Sequence, residues 1–302
     1  LPQASLESHL ARLSPKLFAT ESSMTVRTSS PCDDLPPSSL LLFTSGSTGA
    51  PKLAVLTQAN LIASATSAIA CCDLNPGDGW LLSLPLHHVG GLSILFRCLQ
   101  ARASLIADPA DSKVTHLSYV PAQLYRSWPV YPRLRCLLLG GGPIREIPSQ
   151  LPMYVSYAMT ETASLVLGRR NPPCKQGFWH LGFPVTGKEI TLSPEQEILV
   201  RGDSLFQGYW DGEKLHRPFD LEGWFATKDL GRFDPQEGYA IIGRKDLQFI
   251  SGGENIQPEE IEQELSHYPG LIDAVVVPVE DRQFGHRPVA CVRMLDQTID
   301  TE

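Results

Sequence analysis

Residues 44–52 read Thr-Ser-Gly-Ser-Thr-Gly-Ala-Pro-Lys and combine hydroxyl groups, flexible backbone and one cation in a short segment. Gly46 and Gly49 allow backbone N–H groups to approach phosphate oxygens closely, and Lys52 supplies a positive charge. The hydroxyl groups that can donate to the same oxygens belong to Thr44, Ser45, Ser47 and Thr48. The segment therefore predicts a loop that binds a polyphosphate.

This loop is not a Walker motif. Ala50 and Pro51 separate Gly49 from Lys52, whereas a Walker loop joins Gly-Lys-Ser/Thr directly, and Pro51 also removes one amide donor. Taken alone, a loop rich in serine and glycine is more often an ordinary turn after a strand such as residues 40–43. The choice between these readings depends on the rest of the chain.

Bulk properties limit the class of protein. The 302 residues are enough for two domains, and the 42% hydrophobic content can supply a sizeable core. The 25 basic and 33 acidic residues give a net charge of −8, which argues against nucleic acid or an anionic membrane as the partner. Seven cysteines without a C-x-x-C motif predict reduced thiols in the cytoplasm. No apolar run reaches the roughly 18 residues of a transmembrane helix, so membrane insertion is not expected.

The apolar pattern predicts an α/β fold, in which short strands alternate with helices as in a parallel sheet. Predicted strands lie at residues 40–43, 80–85, 104–107, 117–120, 134–139 and 153–156, with helices at about 58–71 and 92–100. From about residue 186 the strands become short and punctuated by glycine, and a compact α+β pattern follows residue 243. The predicted units are a large domain, 1–243, which includes a β-rich subdomain at 186–243, and a small domain, 244–302.

A second polar cluster, Ser-Tyr-Ala-Met-Thr-Glu at residues 156–161, directly follows a predicted strand. Ligands of α/β folds usually lie at such strand ends. Mg²⁺ takes one or two protein carboxylates together with substrate phosphates, so Glu161 facing the 44–52 loop would hold it. Taken alone, this pair is more typical of a helix start, with Thr160 as the N-cap and Glu161 favoured by the helix dipole.

Two further clusters carry charged side chains. Asp229, within residues 223–231, could accept two ribose hydroxyls, although closing a hairpin through an Asx-turn is the commoner use of such an aspartate. Residues 243–246 read Gly-Arg-Lys-Asp at the predicted domain boundary and suggest a hinge. By itself, that charged run could equally be a solvated turn.

Together, these clusters resemble the motifs of the adenylate-forming acyl-CoA synthetase superfamily in their order and spacing. The matching segments are 44–52, 157–161, 223–231 and 243–262, and the likeness covers nearly the entire chain. It implies a large N-terminal domain of β-sheets flanked by helices, with a β-rich subdomain, and a small mobile α+β C-terminal domain. It also implies an acid–thiol ligase that uses ATP, Mg²⁺ and coenzyme A.

The segments between the shared motifs are similar to the o-succinylbenzoate:CoA ligases of menaquinone biosynthesis. They read LLSLPLHHV at 81–89, LLLGGG at 137–142, FISGGENIQPEE at 249–260 and FGHRPVA at 284–290. This likeness implies that o-succinylbenzoate becomes an acyl-adenylate and then a CoA thioester. The alternatives are another aryl- or fatty-acid:CoA ligase, an adenylation module that loads a carrier protein, and a degenerate homologue that only binds nucleotide or a partner.

The resemblance also implies roles for individual residues. The 44–52 loop would hold the β- and γ-phosphates, Glu161 would ligate Mg²⁺, and Thr160 would contact the α-phosphate. Asp229 would bind the ribose hydroxyls and Arg244 would reach ribose or phosphate, while Asp246 falls at the hinge. The residues expected to border adenine and the acyl pocket are Gly140, Gly141, Gly142, Ser156 and Tyr157.

Two residues are candidates for contact with the acid. His88 matches a family histidine that lines the pocket and is associated with closure of the substrate or thiol tunnel, and a core histidine is the alternative. Arg97 is our candidate for pairing with the distal carboxylate of a dicarboxylic substrate, because an acidic protein must supply a local cation there. The alternative for Arg97 is an exposed arginine on a helix.

The sequence departs from the family pattern in two places. Lys228 stands where the family commonly has glycine before the ribose-binding aspartate, which puts the local turn geometry in question. The catalytic lysine that the family carries near its far C-terminus has no counterpart before Glu302. Together with the start at Leu1, this predicts truncation at one or both ends. The oligomeric state is left open, a homo-oligomer included.

Overall fold

The computed structural model describes residues 17–19, 24–26, 35–36, 39–44, 52–126, 128–142, 144, 150–175 and 177–295. The helices of this part are α1 (Gln58–Cys72), α2 (Val89–Ala101), α3 (Pro121–Arg126) and α4 (Pro258–Leu265). Among them, no helix combines the length and apolar character needed to cross a membrane.

The strands of the described residues fall into three runs along the chain. The first run is β1 (Leu17–Ala19), β2 (Met24–Val26), β3 (Ser39–Thr44), β4 (Lys52–Thr57), β5 (Gly79–Leu81), β6 (Ser104–Ile106), β7 (His116–Tyr119) and β8 (Cys136–Leu139). The second is β9 (Met153–Met159), β10 (Ser164–Arg170), β11 (Cys174–Lys175), β12 (Phe178–Trp179), β13 (Lys188–Leu192), β14 (Glu197–Gly202), β15 (Gly208–Trp210), β16 (Leu215–His216), β17 (Phe225–Asp234) and β18 (Gly238–Arg244). The third is β19 (Phe249–Ser251), β20 (Glu254–Ile256), β21 (Leu271–Asp281) and β22 (Gly285–Met294).

A six-stranded sheet in the order β10-β9-β8-β7-β5-β6 forms the centre of the fold. The five neighbouring strands β9, β8, β7, β5 and β6 pair in parallel. Strand β10 lies at one edge and pairs antiparallel with β9. The four residues of β8, Cys-Leu-Leu-Leu, are all buried, as expected for a parallel strand that is covered on both faces. The prediction of an α/β fold is confirmed, and the carboxyl ends of these strands are where a ligand site is expected.

The strand predicted at residues 40–43 forms as β3 but lies outside this central sheet. It pairs antiparallel with β4, a strand that the sequence analysis missed, in a sheet ordered β16-β15-β4-β3. The predicted parallel alternation was therefore wrong for the first strand. An antiparallel pair needs only a short connection, which residues 45–51 supply, whereas a parallel pair needs a long crossover. Helix α1 begins only after Thr57, which forms a capping box with Asn60.

Two smaller sheets follow in the second half of the chain. One has the order β13-β14-β17-β18 and lies within the segment predicted to be a β-rich subdomain. The other has the order β20-β19-β22-β21 and carries α4 in contact with β21. Strand β18 ends at Arg244, where a 3₁₀ turn leads into the second of these sheets. The division into domains at residue 243 stays a prediction.

Gly238 fixes the approach of β18 to the segment that precedes β13. The N–H of Tyr239 donates to the carbonyl of Gly182 at 2.7 Å, and the N–H of Leu181 donates to the carbonyl of Tyr239 at 2.7 Å. A Cβ atom on Gly238 would lie 2.0 Å from the Gly182 carbonyl oxygen, and the φ angle of Gly238 is +81°. Because the obstacle is backbone, it has little freedom to move aside.

Replacing Gly238 with alanine should therefore lower the free energy of unfolding by more than the cost of placing alanine at a positive φ. Gly187→Ala is the matched control, because Gly187 has a φ of +79° but has open space where a Cβ would stand. The control should lose about 1 kcal/mol, the cost of a left-handed alanine, and Gly238→Ala should lose roughly 2 kcal/mol more through overlap. Urea unfolding measures both, and equal losses would contradict this account.

Candidate functional site

A cleft of about 1160 Å³ lies between the carboxyl ends of the central strands, the β13-β14-β17-β18 sheet and helix α4. Among the predicted site residues that the structure describes, all but Asp246 line it. They are Thr44, Lys52, His88, Arg97, Gly140, Gly141, Gly142, Ser156, Tyr157, Thr160, Glu161, Asp229 and Arg244. Ser45, Gly46, Ser47, Thr48 and Gly49 lie outside the described residues. The motifs that are far apart in sequence thus meet in one place.

The two ends of the 44–52 loop lie opposite each other at the cleft. Thr44 ends β3, Lys52 begins β4, and the Thr44 hydroxyl donates to the Lys52 carbonyl at 3.4 Å. The ammonium of Lys52 stands 4.9 Å from the ring centre of Tyr209, and the Tyr209 hydroxyl donates to Glu161 Oε1 at 2.7 Å. These contacts connect Lys52, at the end of the loop, through Tyr209 to Glu161, which was predicted to face the loop.

Tyr209 is a site residue that the sequence analysis missed. Burial and the charge of Glu161 raise the pKa of Tyr209, so its hydroxyl remains a donor at neutral pH. It follows Gly208 in β15, and Glu161 is its hydrogen-bond partner across 48 positions of the chain. No local spacing in the sequence indicates that partnership.

The Thr160-Glu161 pair does not start an α-helix. It opens a single 3₁₀ turn, Thr160–Thr162, between β9 and β10, and the N-cap position belongs to Met159. The alternative of Thr160 as a helix N-cap is therefore wrong. Glu161 is only 8% exposed, and its backbone carbonyl accepts a hydrogen bond from the N–H of Phe206 at 2.7 Å.

The surroundings of Glu161 fit Mg²⁺ that arrives with phosphate groups. Mg²⁺ prefers carboxylate oxygens, of which it takes one or two, and it fills its remaining positions with phosphate oxygens and water. Within the described residues, no group of three or more His, Cys, Asp or Glu side chains could hold a metal ion by itself. Glu161, on the cleft wall with the Tyr209–Lys52 contact beside it, suits a shared site with a polyphosphate.

Asp229 lies inside β17 and contacts two other site residues. The Tyr157 hydroxyl donates to its Oδ2, and Arg244 Nη1 donates to its Oδ1 at 3.0 Å. The alternative of an Asx-turn is wrong, because the residue is in a strand paired with Arg244 of β18. Burial raises the pKa of Asp229, and the Tyr157 hydroxyl and the Arg244 charge partly offset that increase.

Arg244 joins Asp229 to the predicted hinge. Its Nε and Nη2 donate to the two oxygens of Asp246, both at 3.1 Å, so that the pair is bidentate. Burial alone would lower the pKa of Arg244, but Asp246 and Asp229 raise it overall. The backbone of Arg244 is held as well, since its N–H donates to Glu259 at 3.0 Å and its carbonyl accepts from Gln257 at 3.0 Å. The alternative of a solvated turn is therefore wrong for Arg244.

Lys228 adopts the conformation that a glycine would favour. Its φ is +64°, and its N–H donates to Glu197 Oε1 at 2.9 Å. The other oxygen of Glu197 accepts from Lys245 at 2.7 Å, so one carboxylate contacts both the residue before Asp229 and the segment predicted to be a hinge. Lys228 thus adopts a left-handed conformation inside β17 although it is not glycine, and Glu197 is a further residue that sequence reasoning missed.

The glycine turn after β8 presses against β9. A Cβ on Gly140 would stand 2.5 Å from the Ser156 hydroxyl, and Gly141 has a φ of +79°. The Ser156 hydroxyl donates to the carbonyl of Leu139 at 3.0 Å. This close approach requires glycine and keeps the floor of the cleft free of side chains at that point.

His88 and Arg97 lie on or next to helix α2. His88 precedes the helix and is exposed, so the alternative of a core histidine is wrong. Arg97 is 1% exposed, which overturns the alternative of an exposed helix arginine. Its Nη2 donates to the Ser164 hydroxyl at 2.9 Å, and its guanidinium stands 5.1 Å from the centre of the Trp80 ring.

The guanidinium of Arg97 is incompletely paired. Its Nε has no hydrogen-bond partner, and Arg97 forms no ion pair within the described part of the chain. Burial lowers the pKa of Arg97, as expected for a cation removed from water. A buried cation that faces a cleft without a carboxylate partner is suited to an anionic ligand.

Comparison with known proteins is consistent with this geometry. The chain matches the model of the AMP-binding enzyme family over residues 7–210. It is 40% identical over 274 residues to the 2-succinylbenzoate–CoA ligase of Salmonella typhimurium, an alignment that covers 86% of this chain and 59% of the relative. The 2-succinylbenzoate–CoA ligase of Escherichia coli is 36% identical over the same shares of both chains. The chain thus spans less than two thirds of the length of these relatives.

Solved structures of similar fold include enzymes with the same name as these relatives or a related one. E. coli MenE with a bound m phenylether-linked analogue of OSB-AMS has a TM-score of 0.78 and 32% identity, covering 99% of this chain and 72% of that one. Bacillus subtilis MenE in complex with the acyl-adenylate intermediate OSB-AMP has a TM-score of 0.72 and 31% identity, over 83% and 58% of the two chains. ATP-bound MatB from Rhodopseudomonas palustris has a TM-score of 0.75 and 27% identity, over 92% and 61%.

Replacing Tyr157 with phenylalanine should raise the pKa of Asp229. The change removes the hydroxyl that stabilises the ionised carboxylate, whereas the burial that already raises this pKa remains. The carboxyl ¹³C titration of Asp229, assigned with the aid of Asp229→Asn, measures the shift. Since the higher pKa penalises the ionised form, the variant should lose stability at pH 7 and regain it as the pH falls.

Tyr239→Phe is the control for this titration. The Tyr239 hydroxyl donates to the carbonyl of Ile190 at 3.0 Å rather than to Asp229, so its loss should leave the Asp229 pKa in place. An unchanged or lower pKa of Asp229 in Tyr157→Phe would show that the hydroxyl does not stabilise the carboxylate.

Proposed function

Because this chain belongs to the AMP-binding enzyme family, we propose that it activates a carboxylic acid with ATP and transfers the acyl group to coenzyme A. The acid that we propose is o-succinylbenzoate, and the product is its CoA thioester, an intermediate of menaquinone biosynthesis. One observation carries the proposal. The cleft joins a polar wall suited to a nucleotide with a buried arginine that pairs with no carboxylate among the described residues.

The nucleotide would occupy the wall formed by Lys52, Glu161, Asp229 and Arg244. In this proposal the 44–52 loop holds the β- and γ-phosphates, and Thr160 contacts the α-phosphate. Asp229 accepts the ribose hydroxyls, while Gly140, Gly141, Gly142, Ser156 and Tyr157 border adenine and the acyl pocket. Mg²⁺, held by Glu161, would neutralise phosphate charge. The site therefore favours a reaction in which negative charge gathers on phosphate oxygens.

The first step forms a bond between an oxygen of the acid and the α-phosphorus, and the bond to pyrophosphate breaks. In the second step the thiolate of coenzyme A attacks the acyl carbonyl, and AMP leaves with the electron pair. The chain's own contribution is to position the reactants and to surround them with fixed charges, of which Lys52 and Arg244 are positive. Residues 244–302 would rotate about Asp246 between the steps.

Arg97 would pair with the distal carboxylate of o-succinylbenzoate. The support is its burial, the unpartnered Nε and its position in the same cleft as the nucleotide wall. His88, exposed at the start of the helix that carries Arg97, would stand beside the path of the acid or the thiol. We place the reaction in the cytoplasm, where the cysteines of the chain would stay reduced.

The direct test is pyrophosphate exchange with a panel of acids. We expect exchange and AMP release with o-succinylbenzoate and little of either with benzoate or octanoate, because these monoacids cannot pair with Arg97. Coenzyme A should then yield the thioester. Turnover with the monoacids alone would instead assign the chain to another class of acid:CoA ligase, and transfer to a carrier-protein thiol but not to coenzyme A would assign a loading module.

Within the same assay, Glu161→Ala should lower exchange by at least about 100-fold, because the variant lacks the carboxylate proposed to hold Mg²⁺. Glu189→Ala is the matched control, since Glu189 is exposed and pairs with Arg201 instead. Near-normal exchange in Glu161→Ala would remove Glu161 from the metal site.

Arg97→Ala should raise the KM for o-succinylbenzoate on the order of 100-fold and leave the KM for ATP nearly unchanged, as expected when a buried charge partner is lost. The control is Arg126→Ala, which removes an exposed arginine on α3. A KM for o-succinylbenzoate equal to that of the wild type would exclude Arg97 from binding the distal carboxylate.

A further inference from the structure

The turn that carries Thr160 and Glu161 has a costly backbone. Directly after the 3₁₀ turn, Ala163 has a φ of +53° and Ser164 a φ of +110°, although neither is glycine. Residues in such sparsely populated conformations cost about 1–3 kcal/mol each and persist only where their surroundings hold them. The position of Glu161 therefore depends on the contacts that support this turn.

Part of that support comes from nearby groups. The Thr162 hydroxyl donates to the carbonyl of Ser164 at 2.7 Å, and the N–H of Ala163 donates to the carbonyl of Thr160 at 3.0 Å. The carbonyls of Thr162 and of Leu165, which lies next to a register shift between β9 and β10, accept hydrogen bonds from a side chain outside this turn. A buried carbonyl without a donor would destabilise the turn further.

That side chain is Lys188, whose single ammonium reaches both carbonyls from a different sheet. It is the first residue of β13, and its ammonium donates to the carbonyl of Thr162 at 3.2 Å and to that of Leu165. The residue is 7% exposed and forms no ion pair with any described residue. Its side chain is not among those that line the cleft, so it contacts the turn from the protein interior and not from the cleft.

The segment before Lys188 is itself fixed, which makes the lysine a rigid support. The N–H of Val185 donates to the carbonyl of Val166 at 3.1 Å, and the carbonyl of Thr186 accepts from the Ser67 hydroxyl at 2.8 Å. Burial, together with the charge of Arg97, lowers the pKa of Lys188 to about 7. A methionine of similar length would avoid this cost but could donate to neither carbonyl.

We propose that Lys188 is a positioning residue that holds the Thr160–Thr162 turn so that the Glu161 carboxylate faces the nucleotide-bound metal. This inference rests on the proposed function, because the role of Glu161 does. Lys188 acts at one remove from the ligand, through two backbone carbonyls. Residues that orient a metal ligand in this way typically change metal affinity by about 10- to 100-fold when they are replaced.

The test compares nucleotide binding with and without metal, and therefore does not depend on turnover. Calorimetry measures the Kd for ATP in Mg²⁺ and in EDTA for the wild type, Lys188→Met and Lys188→Arg. Lys188→Met should weaken binding about tenfold in Mg²⁺ and leave binding in EDTA unchanged. Lys188→Arg keeps a charged donor and should stay within about threefold of the wild type.

A double-mutant cycle with Glu161→Gln separates positioning from general structural support. Lys188→Met should weaken binding in Mg²⁺ no further when Glu161 is already replaced, because both changes then act on the same metal contact. A loss that persists beside Glu161→Gln, or that appears equally in EDTA, would overturn the proposal. So would a Lys188→Met variant with the affinity of the wild type in Mg²⁺.

Two safeguards keep the outcomes distinct. If Lys188→Met does not fold, Lys188→Gln, whose amide is uncharged and stands on a shorter side chain, takes its place and should show a metal-dependent loss larger than that of Lys188→Arg. A wild type that binds ATP with Mg²⁺ but exchanges no pyrophosphate with any acid would overturn the proposed function. The Lys188 comparison would still be decided in that case, because it measures binding alone.

Discussion

The arrangement of the cleft depends on the hydrogen bonds that the Asp229 carboxylate accepts. Tyr157 reaches it from the central sheet, and Arg244 reaches it from the end of β18. Arg244 also pairs with Asp246, so Asp229 connects the central sheet, through Arg244, to the residue predicted to be the hinge. Since Asp229 is buried, its contacts with Tyr157 and Arg244 act with little screening by water. The central sheet, β18 and the segment at Asp246 can therefore keep a fixed spacing around the cleft.

Charge in the cleft contrasts with charge on the whole chain. The protein carries a net charge of −8, yet Lys52, Arg97 and Arg244 all line the same cleft. Arg244 is neutralised by two carboxylates, whereas Arg97 has no ion pair within the described residues. The lining also carries the carboxylates of Glu161, Asp229, Glu259 and Glu262, so the cleft as a whole is near neutral and its attraction for anions is local. In the proposed reaction the nucleotide phosphates would meet Lys52, and the distal carboxylate of the acid would meet Arg97.

The sequence predicted the parts of the site that are local. Glu161 and Asp229 each belong to a short motif at a strand end or within a strand, and both line the cleft. Tyr209 and Lys188 were missed because their partners lie 48 and 26 positions away, and only the fold brings them together. The strand β4 was missed for a related reason. The glycine-rich loop before it resembles a connection to a helix, whereas here residues 45–51 join two antiparallel strands.

Arg244 has enough N–H donors to stay paired with Asp246, the residue predicted to be the hinge, while Asp229 changes its hydrogen-bond partner. Asp246 takes Nε and Nη2, and Asp229 takes only Nη1. Ribose hydroxyls that donated to Asp229 would compete with one hydrogen bond of Arg244 and with the Tyr157 hydroxyl, but not with the bidentate pair. The Arg244 backbone would also keep its bonds to Glu259 and Gln257. In the proposed function, nucleotide binding would therefore loosen the pair of Asp229 and Arg244 and leave the pair of Arg244 and Asp246 in place.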